Sequence, residues 1–582
     1  MNMKTNITIL VVALLLGACT SNDEERVVAP VSIQLTASVA TETLSPGDAT
    51  AWSREAWKEL TSRRATRGVQ DNSLANNQKA YLWADKGSAG TYTYLKAWAL
   101  TSNGSGGLTG STKYYPSDGD GLTFRAMHGN FSTTPTEGST AIGTFTHSVL
   151  ANQSASGNLE LSDLMYGEGS GSYQTVSSAP LNFTHKLSKI EVNLTAGPGM
   201  GASDMPNVVV KVKNVKPSIT INAADGSLGS ASGTAITVTA RHTGNGIFEA
   251  VIPPQTAPTG VLTLTYSGVT VTVPNTVATF ASNRRYVYNV TVKNVCKEMN
   301  PLYYVAEYNL SLATDNTTFS FNKTAGPSQG SLFLWLEPNE TVANHNIMRT
   351  KWAAQTSGYN GYRIPTSTNR ILEGESWHLP TQQEYLSIIP AYFTMDSQRE
   401  IFENNNNFVP AGLYTEPQSV FGYNSATKTP TAYKSYWSSY STANVRYAIR
   451  FLDTNYCSVW KYQFDKSGKK LVITSKIIER LASTDTSKLS SKLSEIMSAG
   501  YNWTTLDADE GEISRTFYAC GYMSGQYRQS ASGSAYNGER VYYWTSSVSG
   551  DYDIALKALD GYLSVDFHVY LDSFSVRLFR DN

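Results

Sequence analysis

The densest run of arginine in this 582-residue chain is Thr61-Ser62-Arg63-Arg64-Ala65-Thr66-Arg67-Gly68. Its small and polar neighbours promise neither a helix nor a strand, and a basic exposed loop is where a trypsin-like protease cuts most readily. Arg63, Arg64 and Arg67 are therefore candidate maturation residues, and a cut after Arg67 leaves Gly68 as the new N-terminus. On these residues alone an ordinary basic linker is the alternative. A second group lies near the C-terminus, where Asp551 and Asp553 stand in a Gly/Ser loop after Trp544. Two carboxylates there suit a cation or a sugar hydroxyl, but calcium usually takes six or more oxygens. Trp437 and Trp544, with Trp460, offer flat faces on which a sugar ring stacks. The Trp-Ser/Thr-Ser settings of Trp437 and Trp544 beside strands favour the core over binding. Cys457 and Cys520 would need a basic or His-containing setting to become thiolates, and neither has one in sequence. No His-Glu-x-x-His, Gly-x-Ser-x-Gly or phosphate loop occurs, so no catalytic residue and no cofactor is expected. Calcium at the two aspartates is the one cation considered.

Elements that position such residues must come from several domains, since 582 residues exceed one core and roughly three or four are expected. A net charge of −1 with 16% charged residues gives no electrostatic case for nucleic acid. Many Gly (44) and Tyr (35) point to β structure with frequent turns. Of four cysteines Cys19 is accounted for below, and three remaining thiols cannot all pair within the chain. Disulfides are not the main staple.

Lys4, the apolar run Ile7 to Leu16 and the ending Leu16-Gly17-Ala18-Cys19 read as an export signal rather than a span. The ending resembles a bacterial lipobox, which implies cleavage between Ala18 and Cys19 and lipidation, palmitate included, on Cys19. Ser21-Asn22-Asp23-Glu24-Glu25 resembles the acidic signals that place Bacteroidales lipoproteins outside the outer membrane. Residues 31–39 then alternate apolar and polar, the period of a half-buried strand that needs partners from elsewhere. Trp52 to Leu60 reads as a short helix or collapsed loop.

Strand patterns begin at Ala80-Tyr81-Leu82-Trp83 and continue through Tyr92 to Trp98, Tyr114-Tyr115-Pro116, Asp163-Leu164-Met165-Tyr166 and one run from Leu181 to Val192. His185 within that run reads as a satisfied structural histidine. Further runs are Val208 to Val215, Phe248 to Gln255, Leu262 to Tyr266 and Arg284 to Val292. Over residues 30–294 these motifs, in this order, resemble the Bacteroidales fimbrillin (type V pilin) family. The resemblance implies a propeptide at 20–67 and two β-sandwich pilin domains, at 68–180 and 181–295.

Beyond residue 295 a further block begins with Tyr303 to Leu310. It continues with Trp377-His378-Leu379-Pro380-Thr381 and Glu384, Tyr436-Trp437-Ser438-Ser439, Tyr543-Trp544 and a closing Phe574-Ser575-Val576-Arg577. Thr381 and Glu384 have capping-box spacing, so a helix should run to Ile389 and stop at Pro390. Lys488 to Ala499 places Leu489, Leu493, Ile496 and Met497 on one helical face. Ser435 to Ser439 reads as a turn into the strand Tyr447 to Phe451. The block resembles the C-type-lectin-like modules of bacterial surface proteins, in which the first and last strands pair. The fold class expected is mainly β: two tandem sandwiches, then an α+β lectin-like domain at 296–582. Glu337-Pro338-Asn339 reads like a lectin sugar triplet but stands too early in the module. The related formylglycine-generating enzymes make a surface enzyme the alternative, through Cys457 and Cys520.

Together the resemblances imply a fimbrial tip subunit. It accepts a strand from the next subunit and meets a glycan or protein receptor through its last domain. A structural minor or anchor subunit without adhesive activity is the other alternative.

Overall fold

The computed structural model describes residues 9–10, 33–43, 74–87, 90–104, 107–116, 120–171, 181–275, 277–312, 319–324, 326, 333–334, 370–391, 400–402, 408–420, 430–439, 444–520, 540–549, 552–559, 562–568 and 573–580. Ala18, Cys19, Val31, Trp52 to Leu60, Arg63, Arg64, Arg67, Gly68, the Glu337 triplet and Asp551 lie outside them. The chain divides into two compact units. The first contains Ser32–Ala196 and Ala202–Lys293, the second Gly197–Gly201 and Asn294–Asn582. The protein is mostly β, as its composition foretells.

In the first unit a six-stranded sheet runs Leu108–Gly110, Leu95–Ser102, Lys79–Lys86, Leu122–His128, Met165–Gly171, Leu181–His185. Lys79–Lys86 lies inside it, and its residues Ala80 to Asp85 are all buried. A second six-stranded sheet runs Ile9–Leu10, Ile33–Thr43, Arg284–Asn294, Ser188–Ala196, Ile247–Ile252, Arg241–Gly244. A four-stranded sheet of Ile236–Thr239, Val209–Val215, Leu262–Tyr266 and Val269–Val273 accompanies it. Ser188–Ala196 and Arg284–Asn294 pair in parallel, from Ser188↔Arg284 to Ala196↔Val292. A parallel pair needs a long crossover, and the intervening chain supplies it, adding the four-stranded sheet and the antiparallel strands Arg241–Gly244 and Ile247–Ile252 on the way. Alternation then turns Ile190, Val192 and Leu194 inward beside Tyr286, Tyr288 and Val290. Each fully buried aliphatic side chain there contributes about 1.5–3 kcal/mol.

The Leu181 to Val192 run, read as one strand, is two. Leu181–His185 closes the first sheet, and Ser188–Ala196 opens the second. His185 Nδ1 meets Asp163 Oδ2 at 2.7 Å in a buried pair, which holds the earlier piece beside Met165–Gly171. The sheets thus part at Lys186-Leu187, and a boundary at 180/181 would cut through the first of them. The two sandwich regions are also laced together. Thr144–Ser148 pairs with Ser218–Asn222. The buried Gln153 side chain bonds both the N–H and the C=O of Val251, at 2.9 and 2.8 Å. Arg125 Nε and Tyr166 Oη both donate to Ala224 O, at 3.0 and 3.2 Å.

In the second unit an antiparallel six-stranded sheet runs in chain order from Gly412–Thr415 through Lys434–Trp437, Val445–Arg450, Ser458–Asp465 and Lys470–Ile477 to Glu512–Tyr518. Val541–Ser549, Tyr552–Leu559 and Tyr562–His568 form a meander. Helix Gln382–Ile388 has the expected capping box. Thr381 Oγ1 accepts from Glu384 N–H and Glu384 Oε2 accepts from Thr381 N–H, and the helix ends with Ile389 as its cap. Helix Thr486–Met497 begins on the Asp485 side chain and buries Leu489, Leu493 and Ile496. Two expectations need correction. Met497 is 47% exposed, since the last residue of the helix has turned past the buried face. Ser435 to Trp437 is strand, not turn, with Ser435 and Trp437 alternating into the core.

Candidate functional site

The geometry that bears on strand exchange begins at Ile33–Thr43, which is strand and overlaps the alternation at 31–39. It is the neighbour of Arg284–Asn294, whose other side is taken by Ser188–Ala196. Arg284–Asn294 is therefore an interior strand only while Ile33–Thr43 pairs with it. Without that partner a row of backbone donors and acceptors faces open space.

The opposite terminus is built differently. Where a strand is expected from Tyr303 to Leu310, regular strand begins at Asn309, and two turns of 3₁₀ helix, Lys297–Met299 and Pro301–Tyr303, run up to Tyr303. Asn300 sets them, since its side chain accepts from Leu302 N–H and donates to Ser475 O and Gly511 O at 3.2 and 2.8 Å. The chain then extends alongside the C-terminus, as the first-and-last pairing requires. Ala306 N–H donates to Leu578 O and Leu310 N–H to Val576 O, both at 2.9 Å, and Arg580 N–H donates to Tyr304 O at 2.6 Å. Phe579–Arg580 pairs on its other side with Glu375–His378. Phe574 to Leu578 is fully buried on both faces.

Arginines lock this arrangement. Arg577, 0% exposed, donates to Ala306 O at 3.0 Å, to Thr516 O at 2.7 Å and to Glu307 O. Its guanidinium lies 4.9 Å from the Phe517 ring centre and 5.5 Å from that of Tyr543. Arg515 Nε donates to Val305 O at 2.7 Å. Burial pulls the Arg515 pKa down to about 10, Glu307 opposes the shift, and Arg577 and Arg580 add to it. Arg580 stands between the Tyr303 and Trp377 rings and bonds Tyr303 Oη at 2.7 Å. Sequence reasoning recognised the Phe-Ser-Val-Arg strand but assigned Arg577 no role. The available signal was an arginine flanked on both sides by apolar residues.

Trp437 and Trp544 are placed in the core, at 1% and 0% exposure. Trp437 stacks on Tyr462 at 5.6 Å and Trp544 on Phe574 at 4.2 Å, so their faces meet protein. In this conformation neither ring can stack on a sugar. Asp553 lies on strand Tyr552–Leu559, in register with Val548 on one side and His568 on the other. The half-exposed tryptophan of this unit among the described residues is Trp503, beside Tyr501 and Tyr447, which sequence reasoning passed over. Cys296, Cys457 and Cys520 are buried, and none of the three is in a disulfide among the described residues. Burial pushes the Cys296 and Cys457 thiols up to about 12 and raises Cys520 as well, which favours the protonated thiol in all three. Among the described residues no group of three or more His, Cys, Asp or Glu is placed to hold a metal ion. No helix among them is long and apolar enough to cross a membrane.

Comparison with known proteins gives two family matches. A fimbrillin-like family matches residues 64–303, and a domain of unknown function (DUF8237) matches residues 297–579. No curated protein matches the chain. Among solved structures, a candidate cell adhesion protein from Bacteroides uniformis is 20% identical over 39% of this chain and 91% of its own, with a TM-score of 0.31. Another from Bacteroides thetaiotaomicron is 12% identical over 38% and 81%, with a TM-score of 0.24. A candidate adhesin from the same species is 14% identical over 34% and 72%, with a TM-score of 0.22. Over residues 64–303, less than half of its length, the chain is similar to the fimbrillin-like family.

Proposed function

We propose that this chain is the tip subunit of a fimbrium at the bacterial surface. The precursor is exported through the signal at 1–19 and held in the outer membrane by lipid on Cys19. A trypsin-like protease cuts the 20–67 propeptide at Arg63, Arg64 or Arg67, so that the mature chain begins near Gly68. Strand Ile33–Thr43 then leaves, and a strand from a neighbouring fimbrial subunit takes its place along Arg284–Asn294, as an added strand at a sheet edge. The two sandwiches within 68–295 form the assembly half, and 296–582 forms a lectin-like adhesive module facing a glycan or protein receptor.

One observation carries the reading. The C-terminal segment is bonded to residues 304–310, paired to Glu375–His378 and clamped by Arg577. Peeling it away would strand buried polar groups and expose Phe574, Val576 and Leu578. A subunit whose N-terminal strand is replaceable and whose C-terminal strand is not can accept but not donate, and belongs at a fibre end. Immunogold labelling of the native fibres should give about one label per fibre, at the distal end. Labels repeated along the shaft would make it a structural subunit and overturn the assignment.

A further inference from the structure

Away from the terminal clamp, strand Tyr562–His568 ends the meander of the second unit, with Tyr552–Leu559 paired along one side. Its other side is covered by residues from an earlier part of the unit. Ile401 N–H donates to Leu563 O and Val565 N–H donates to Ala391 O, both at 2.9 Å. Ile401 and Phe402 are fully buried. Val409 N–H donates to Glu400 O at 2.8 Å, and the Arg446 guanidinium donates to Ile401 O at 2.8 Å and to Val409 O. Backbone and guanidinium bonds thus seat residues 400–402 along the edge of the sheet.

The Glu400 side chain fits this place poorly as a carboxylate. It is 1% exposed, and among the described residues neither of its carboxyl oxygens has a hydrogen-bond partner. A buried carboxyl without a donor favours the neutral acid. The charged and titratable groups that act on it come from the two strands beside it. Lys557, on Tyr552–Leu559, lies 3.1 Å from Asp566 on Tyr562–His568 and 5.0 Å from the Tyr562 ring centre, so its charge is shared with Asp566. Burial pushes the Glu400 pKa up from 4.5 to about 7, the Tyr562 hydroxyl and then Lys557 oppose the shift, and Asp566 adds to it. Ionisation therefore costs the seated arrangement more than a loosened one, in which water reaches the carboxylate. The stability supplied by the neutral acid is fully present below about pH 4.5 and is lost as pH rises through about 7.

We propose that Glu400 is a pH-sensitive clip: as a neutral acid it seats residues 400–402 on strand Tyr562–His568, and as a carboxylate it loosens them and uncovers that strand's edge. An uncovered edge offers unpaired N–H and C=O groups to another strand. This device does not depend on the fibre-tip reading. It is tested by hydrogen exchange at the Ile401 and Val565 amides of the full chain, corrected for the intrinsic pH dependence of exchange. Local opening at both should rise roughly tenfold or more between about pH 5.5 and about pH 8.5, and should stay flat in Glu400→Gln. Two neighbouring variants give opposite signs and serve even where Glu400→Gln folds poorly. Asp566→Asn should shrink the rise, because it removes a carboxylate that disfavours charge on Glu400 and leaves Lys557 to favour it. Lys557→Met should enlarge the rise, because it removes a cation that favours that charge. Opening that does not change with pH in the native chain overturns the proposal. So does a rise that persists in Glu400→Gln, or one that both neighbouring variants move in the same direction.

Discussion

The two terminal strands of this protein answer the same problem in opposite ways. Ile33–Thr43 is attached as a neighbour of Arg284–Asn294, and among the described residues the sheet continues beyond it to Ile9–Leu10. The C-terminal strand is bonded on two sides, buried on both faces, and tied by Arg577 to three carbonyls from two other segments. Backbone pairing at an edge can be handed from one strand to another with little net change, because the incoming strand restores the same bonds. A strand whose side chains carry a buried guanidinium cannot be exchanged that way. The lost contacts are particular to its own sequence, and their loss leaves unpaired groups in the core. On the proposed assembly, the strand that stays fixed is the one whose side chains are buried and bonded to other segments.

The largest test of this contrast is Arg577→Ala. It leaves the carbonyls of Ala306, Glu307 and Thr516 without their donor and opens a cavity between Phe517 and Tyr543. Denaturant unfolding of the second unit should lose on the order of 3–5 kcal/mol. A loss below about 1 kcal/mol would mean that the terminal strand is held by backbone pairing alone, like its counterpart.

A pH titration probes the first unit by contrast. His147 is fully buried, its Nε2 facing Ser162 O at 2.9 Å and its Nδ1 accepting from Asn130 N–H. Burial pushes its pKa down to about 3, with His128 adding to the shift and the Ser162 carbonyl opposing it. The unfolded chain, with a histidine pKa of ~6.5, takes up a proton that the folded chain does not. This contribution is present above about pH 6.5 and is lost as pH falls toward about 3, with about 2 kcal/mol gone by pH 5. His147→Gln, which keeps a donor for Ser162 O, should flatten that slope in the first unit and leave the second unchanged. An equal slope in the variant would show that the acid sensitivity arises elsewhere.

The smallest effect is expected at Thr381→Ala. Removing this cap frees Glu384 N–H beside the strand that flanks the C-terminus and should cost about 1 kcal/mol. The terminal bonds at Ala306, Leu310 and Arg580 should stay protected in the variant. Their loss would mean that the clamp depends on the helix and not on Arg577.

What the sequence made legible follows the range of the interactions. The capping box was readable because Thr381 and Glu384 are three residues apart, and the strand from Arg284 to Val292 because its alternation is local. Leu181 to Val192 was misread because no Gly or Pro marks the break, and the change of sheet rests on His185 meeting Asp163, 22 residues away. Met497 was misplaced because helical phase near a terminus decides exposure over a single residue. The tryptophans show the limit most plainly. Trp437 and Trp544 share a motif and both are core, whereas Trp503 has no motif and lies half-exposed. Arg577 acts on Ala306, 271 residues away in sequence, which no local pattern could announce.

Hydrogen exchange before and after proteolytic removal of everything ahead of Gly68 tests the central contrast most directly. The account predicts that the alternate amides of Arg284–Asn294 that face Ile33–Thr43 lose protection by roughly a hundredfold or more, while those of Ala306, Leu310 and Arg580 remain as slow as in the precursor. Protection kept at those alternate amides, or fast exchange at Ala306, Leu310 and Arg580 in the intact chain, would contradict it.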